Sequence, residues 1–138
     1  MSYLLDTNAI SEASRPKPNA RVMRWLNQLR IDEQYLSVLT FGEIRNGIER
    51  LKDGPRREAL RLWLDRDLQA RFGARLLPVT APVADRWGRL RAEVGRSVPA
   101  IDSLLAATAL HHDLRLVTRN EQDFARYPGL IVVNPWRG

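Results

Sequence analysis

The sequence predicts an α/β fold, a sandwich built on a mainly parallel central sheet of about five short strands. Three observations carry that expectation. Short apolar runs without polar alternation recur along the chain, and longer segments with apolar residues at helical spacing separate them. No repeat, Gly/Ser linker or break in composition divides the 138 residues, so 1–138 is expected to be a single domain.

In chain order, the strand candidates are Tyr3-Leu4-Leu5, Tyr35-Leu36-Ser37-Val38, Leu76-Leu77-Pro78-Val79, Leu114 to Val117 and Leu130 to Val133. Between the first two, Val22, Trp25, Leu26 and Leu29 recur at helical spacing. The second strand is followed by Phe41, Ile44, Ile48 and Leu51, then by Leu60, Trp63, Leu64 and Leu68. Val83, Trp87, Leu90 and Val94 follow the third, and Ile101, Leu104, Leu105, Thr108 and Ala109 lead into the fourth. Strand order is not readable from this pattern.

Composition narrows the function classes. No run approaches the roughly 18 apolar residues of a membrane span, and the N-terminus meets Asp6 too early for a signal peptide, so the chain reads as soluble and cytoplasmic. Cysteine is absent, which excludes disulfides and thiolate metal sites and leaves oxygen or histidine donors. The net charge is +6, and the 22 basic residues include only two lysines, Lys17 and Lys52. Such a surface attracts polyanions, nucleic acid among them, although arginines that merely solvate helix faces would give the same total.

In an open α/β sheet, ligands bind beyond the carboxyl ends of the strands, so acids at those ends are the candidates for chemistry. Asp6 follows the first strand and opens Asp6-Thr7-Asn8, where it can bind a hard cation or cap a helix. Glu43 comes shortly after the second strand, in Thr40-Phe-Gly-Glu43, which also fits a capping box. Asp102 lies in the opening turn of an apolar helix after Pro99, beside Leu105, Ala106 and Ala109, where a charge is costly unless paired with arginine or bound to metal. Asn120 and Asp123 follow the fourth strand with cap-like spacing, and either can complete a cation site. Thr118 and Asn8 are placed to support those ligands by hydrogen bonds.

Taken together, these blocks resemble the PIN-domain ribonucleases, and within them the VapC/FitB-like toxins of type II toxin–antitoxin pairs. The similarity runs through Leu4-Leu-Asp6-Thr-Asn-Ala-Ile-Ser-Glu12, Leu36-Ser-Val-Leu-Thr-Phe-Gly-Glu43-Ile-Arg-Asn-Gly47, Ile101-Asp102 to Ala109 and Leu116-Val-Thr-Arg-Asn120-Glu-Gln-Asp123-Phe124, and ends at Val133-Asn134-Pro135-Trp136. The resemblance implies a PIN-like α/β/α sandwich with Asp6, Glu43 and Asp102 as metal-binding acids. The fourth position falls to Asn120 or Asp123, and a neutral Asn120 lowers the charge available to a second cation. One firmly held Mg²⁺ or Mn²⁺ is the expectation, with a second arriving with substrate. The implied reaction is attack of a metal-activated water on an RNA phosphodiester, Asp6, Glu43, Asp102 and Asp123 serving it, with 5′-phosphate and 3′-hydroxyl products. Implied partners are a cognate antitoxin that inserts a C-terminal segment into the acidic pocket, and a second copy of the chain.

Arg15, Arg45, Arg96 and Arg119 lie beside these motifs and are candidate phosphate contacts, whereas Arg56, Arg57 and Arg61 read as helix-solvating. His111 and His112 close a helix, where a cation suits the macrodipole. Trp25, Trp63 and Trp87 fit apolar stripes rather than RNA-stacking platforms. A dehalogenase-type phosphatase would want an aspartate at position 8, where Asn8 stands. The remaining alternatives are a non-catalytic binding module, in which the polar triplets only cap helices, and a DNA-directed nuclease.

Overall fold

A computed structural model describes residues 1–95 and 97–137; Arg96, one of the candidate phosphate contacts, lies outside them. Strands β1 (Tyr3–Leu5), β2 (Gln34–Ser37), β3 (Leu76–Leu77), β4 (Arg115–Val117) and β5 (Val132–Val133) form one parallel sheet in the order β3-β2-β1-β4-β5. Tyr3 pairs with Gln34 on one side of β1, and Leu5 pairs with Val117 on the other. The chain steps outward through β2 and β3, then returns to the opposite side of β1. The crevice between the carboxyl ends of β1 and β4 is therefore the topological switch point.

The strands read as unbroken apolar runs because helices cover both faces. Leu4 and Leu116 enter one core with Leu90, Leu105, Ala106, Ala109 and Phe124, and one residue further on Leu5 and Val117 enter the other with Leu36, Ile44, Ile48, Leu64, Leu68 and Phe72. Helices α1 (Thr7–Ile10), α3 (Val38–Glu49), α4 (Pro55–Leu62) and α5 (Gln69–Phe72) pack toward the second core, joined by Trp25 and Leu26 of α2 (Ala20–Gln28). Helices α6 (Ala81–Val94), α7 (Ala100–His111) and α8 (Glu121–Phe124) bound the first. A wide π-helical stretch, Trp63–Leu68, joins α4 to α5.

Several boundaries differ from the sequence expectation for local reasons. Val38 starts α3 because the Ser37 hydroxyl accepts from Leu39 N–H at 3.0 Å and caps the helix. Pro78 has no N–H for a ladder, and β3 ends at Leu77. Leu114, Leu130 and Ile131 lie outside the paired segments. Gly95 takes a φ of 75° to terminate α6, a left-handed cap that glycine adopts without a steric cost.

The tryptophans pack as expected. Trp25 meets Tyr3 edge-on with centroids 5.3 Å apart, and Trp87 donates to the Ser103 hydroxyl at 2.8 Å. The helix arginines do more than meet solvent: Arg61 pairs with Glu49 and Glu58, Arg57 with Asp53, and Arg45 with Glu49 and Asp65. Hydrogen bonding from Arg61, then from Arg45, holds the Glu49 carboxyl down at about 2. Among the described residues, no helix is long and apolar enough to cross a membrane.

Candidate active site

β1 delivers Asp6 to the switch point, and its own N–H continues the ladder onto Val117 O at 2.9 Å. The side chain is 7% exposed and both oxygens are occupied: Oδ1 accepts from Thr7 N–H at 2.8 Å, and Oδ2 from the Thr118 hydroxyl at 2.7 Å. Asp6 thus caps α1 and faces the crevice at once, so the two readings of this residue are not exclusive. Burial pushes its carboxyl above the ordinary value; the bonds from Thr118 and Thr7 pull it back, and the charge of Asp123 raises it further.

Thr118 is the hub of the crevice. Fully buried, its hydroxyl donates to Asp6 and accepts from Asn120 N–H at 3.1 Å and from Asn8 Nδ2 at 3.4 Å. The Asn8 Oδ1 in turn accepts from Arg119 N–H at 3.2 Å, which ties the end of β4 to the start of α1. Thr118 and Asn8, expected as supporting residues, are brought together in this network.

Glu43 is exposed and its Oε1 accepts from the Thr7 hydroxyl at 3.1 Å. The capping-box reading does not hold: α3 begins at Val38 under the Ser37 cap, which puts Glu43 beyond the first turn and leaves the Thr40 hydroxyl buried without a partner among the described residues. Thr7 therefore holds one oxygen of each acid, Asp6 through its N–H and Glu43 through its hydroxyl.

Asp102, in the first turn of α7, is half-buried, and among the described residues no arginine or lysine forms an ion pair with it. The competing explanation, a buried arginine pair, is not what the described residues show. Burial raises its carboxyl first, then the charges of Asp6, Asp123 and Glu43, with Arg126 opposing. Asp102 thus feels the charges of carboxylates from three other segments. Among the described residues, however, no three acidic or histidine side chains stand close enough to hold a metal ion by themselves.

Asn120 and Asp123 open α8, but the Asn120 side chain makes no capping bond. Cap-like spacing there reflects only the backbone link from Asp123 N–H to Asn120 O at 3.2 Å. Arg45 and Arg15 lie in ion pairs with Glu49, Asp65 and Glu12, which weakens their reading as phosphate contacts. His112 is lowered by burial and by the neighbouring His111, which counters the idea of a cation there completing the α7 dipole.

Sequence reasoning missed Tyr127. It is 2% exposed, its hydroxyl has no partner among the described residues, and burial followed by the charge of Asp102 raises the phenol. Its one sequence signal is the position four residues after Asp123, a turn further along the same segment. Tyr127→Phe is expected to raise stability in metal-free urea denaturation by about 1 kcal/mol, the usual order for deleting an unsatisfied buried hydroxyl. A loss of stability would show that the hydroxyl has a partner.

Comparisons with known proteins bear on the fold and the family. The family pattern described as the PIN domain matches residues 3–130. Toxin FitB of Neisseria gonorrhoeae is 38% identical, with 96% of this chain and 97% of that protein covered. VapC ribonuclease Y4jK of Sinorhizobium fredii is 31% identical, with 96% of each covered. The crystal structure of FitAcB from Neisseria gonorrhoeae superposes with a TM-score of 0.91 at 37% identity, covering 99% of each chain. A chain matched along nearly its whole length, with its acids gathered at the switch point of a five-stranded parallel sheet, belongs to the PIN-domain family, in the branch that includes Toxin FitB and the VapC ribonucleases.

Proposed function

We propose that the chain is a Mg²⁺- or Mn²⁺-dependent endoribonuclease, the toxin of a toxin–antitoxin pair, which hydrolyses RNA phosphodiester bonds. The observation that carries this reading is the convergence of Asp6, Glu43, Asp102 and Asp123 on one crevice: Thr7 bonds both Asp6 and Glu43, and burial, then the charges of Asp6, Asp123 and Glu43, raise Asp102 with Arg126 opposing. Such an excess of negative charge in a partly desolvated site calls for a cation. The donors are carboxylate oxygens, which suit Mg²⁺ or Mn²⁺. Mg²⁺ keeps several waters and needs only one or two protein carboxylates, so the lack of three closely grouped acids among the described residues does not bar it.

Asp6 and Asp102 would hold the cation, with Glu43 and Asp123 or Asn120 completing the shell through water. When bound, the ion supplies a polarised water and counter-charge for the phosphate. The chain's own contribution is orientation. Thr118 and Thr7 fix Asp6, Thr7 aims Glu43, and Glu43 and Asp102 are the groups able to accept the proton of the attacking water.

Solved relatives include toxin–antitoxin complexes, which supports an antitoxin partner here. An apolar groove of about 220 Å³ beside Thr7 and Glu43, walled by Ile44, Ile48, Leu60 and Trp63, would seat an apolar side chain of the antitoxin. A guanidinium on the same segment would reach the carboxylates and compete with the cation. A second copy of the chain completes the expected assembly.

The test is cleavage of total RNA and of single-stranded DNA by wild-type and Asp6→Asn protein, with Mg²⁺ and with EDTA. The expected outcome is RNA cleavage by the wild type with Mg²⁺ alone. Equal cleavage by Asp6→Asn or in EDTA overturns the reading, and cleavage of DNA alone reassigns the substrate.

A further inference from the structure

A second cavity adjoins the carboxylate crevice. It measures about 350 Å³ and opens at the carboxyl ends of β4 and β5, with Asp123 common to both sites. Arg119, Gln122, Asn134 and Arg137 line it, and none of the steps above uses Gln122, Asn134 or Arg137.

Its walls are anchored on the side of the acidic site. Arg119 is fixed through both backbone groups, its N–H donating to Asn8 Oδ1 at 3.2 Å and its carbonyl accepting from Asn134 Nδ2 at 3.4 Å. The Asn134 Oδ1 accepts from Trp136 N–H at 2.9 Å, and the Arg119 guanidinium lies 5.9 Å from the Trp136 ring centre. Arg137 closes the rim by pairing with Glu121. Asn8 also binds the Thr118 hydroxyl, so the cavity wall and Asp6 share one hydrogen-bonded frame.

The chemistry of the lining selects its occupant. Arg119 and Arg137 are matched by Glu121 and Asp123, so the cavity carries no surplus positive charge to hold a phosphate. It offers instead the amides of Asn120, Gln122 and Asn134, which donate and accept in the manner that reads base edges and ribose hydroxyls. Gln122 is exposed and, among the described residues, its side chain makes no hydrogen bond, which leaves its amide open to a ligand. The volume lies within the roughly 300–1,000 Å³ of small-molecule sites.

We infer that this cavity is a nucleoside subsite, which takes the base and ribose of the nucleotide next to the phosphate under attack. The inference rests on the ribonuclease reading and adds to it a determinant of sequence preference. Gln122 reads the base, Asn134 holds Arg119 in place, Arg119 offers its guanidinium plane for stacking, and the shared frame sets the distance from base to scissile phosphate.

The experiment uses the full chain carrying Asp6→Asn, so that binding is measured without turnover. It is titrated with short single-stranded oligoribonucleotides of differing sequence and with the four nucleoside 5′-monophosphates. Tryptophan fluorescence is followed, with Trp136→Phe to isolate the relevant signal. Wild-type, Gln122→Ala and Asn134→Ala proteins are then compared in cleavage of the same oligoribonucleotides. The expected result is a Trp136-dependent signal, about tenfold weaker binding in Gln122→Ala, which a lost hydrogen bond of about 1.4 kcal/mol produces, and a relaxed base preference beside the cut with kcat little changed. Unchanged affinity and unchanged cleavage pattern in both variants overturn the subsite while leaving the nuclease intact. Undiminished cleavage by Asp6→Asn overturns the nuclease reading itself.

Discussion

Asp6→Asn is expected to lower RNA cleavage by at least about 100-fold, the order observed when one preorganised electrostatic group is removed from an active site. The variant removes a charge but keeps an oxygen for the Thr7 N–H, so its loss reports on chemistry rather than on the cap of α1. The same substitution has an opposite, pH-dependent consequence for stability. Burial raises the Asp6 carboxyl above its unfolded value of 3.8, so the folded protein binds more protons there than the unfolded chain does. The wild type is therefore stabilised by this group at low pH and loses that contribution as pH rises through the raised value. The asparagine side chain of the variant does not titrate. In EDTA, the melting temperature of Asp6→Asn relative to wild type should thus climb as pH increases above 3.8. Added Mg²⁺ should reverse the trend, because a ligand that binds only the folded wild-type site stabilises it by mass action. A difference that stays flat with pH would show that Asp6 is not held as a desolvated carboxylate.

Thr118→Val carries the second large effect. Valine matches threonine in shape but strips the crevice of the hydroxyl that donates to Asp6 and accepts from Asn120 N–H and Asn8. Leaving those groups unpaired costs about 1–3 kcal/mol. Loss of the group that orients a metal-binding carboxylate lowers metal affinity or activity by roughly 10–100-fold. Urea denaturation reads the first effect, and Mn²⁺ titration together with RNA cleavage reads the second. Thr118→Ser, which keeps the hydroxyl, should restore most of both. If Thr118→Val binds metal and cleaves as the wild type does, Thr7 alone suffices to hold Asp6.

The two-sided burial of the sheet made the strands legible, since runs such as Leu4-Leu5 and Leu116-Val117 need no alternation when both faces are covered. Their order was not legible, because parallel pairing of β1 with β4 joins segments more than a hundred residues apart and leaves no local mark. In the sequence Ser37 reads as part of the second strand and Thr40 as the helix cap, yet Ser37 is the residue that caps α3. Ser37 prevails because β2 runs up to it, and only the folded chain shows that Glu43 then lies past the opening turn, against Thr7. The places of Asp6 after β1, and of Asp102 and Asp123 in the first turns of α7 and α8, were readable. Tyr127, Asn134 and Arg137 were not, since their relevance depends on α8 packing against α7 and on β5 joining β4.

The bond from Thr118 to Asp6 spans 112 residues, and the wall anchored by Asn134 lies later still. Thr118 is made 112 residues after the carboxylate it holds, so Asp6 waits for its clamp until β4 has been synthesised and has paired with β1. By the same geometry, cutting the chain after Val117 would remove the clamp with Asp6, Glu43 and Asp102 still in place.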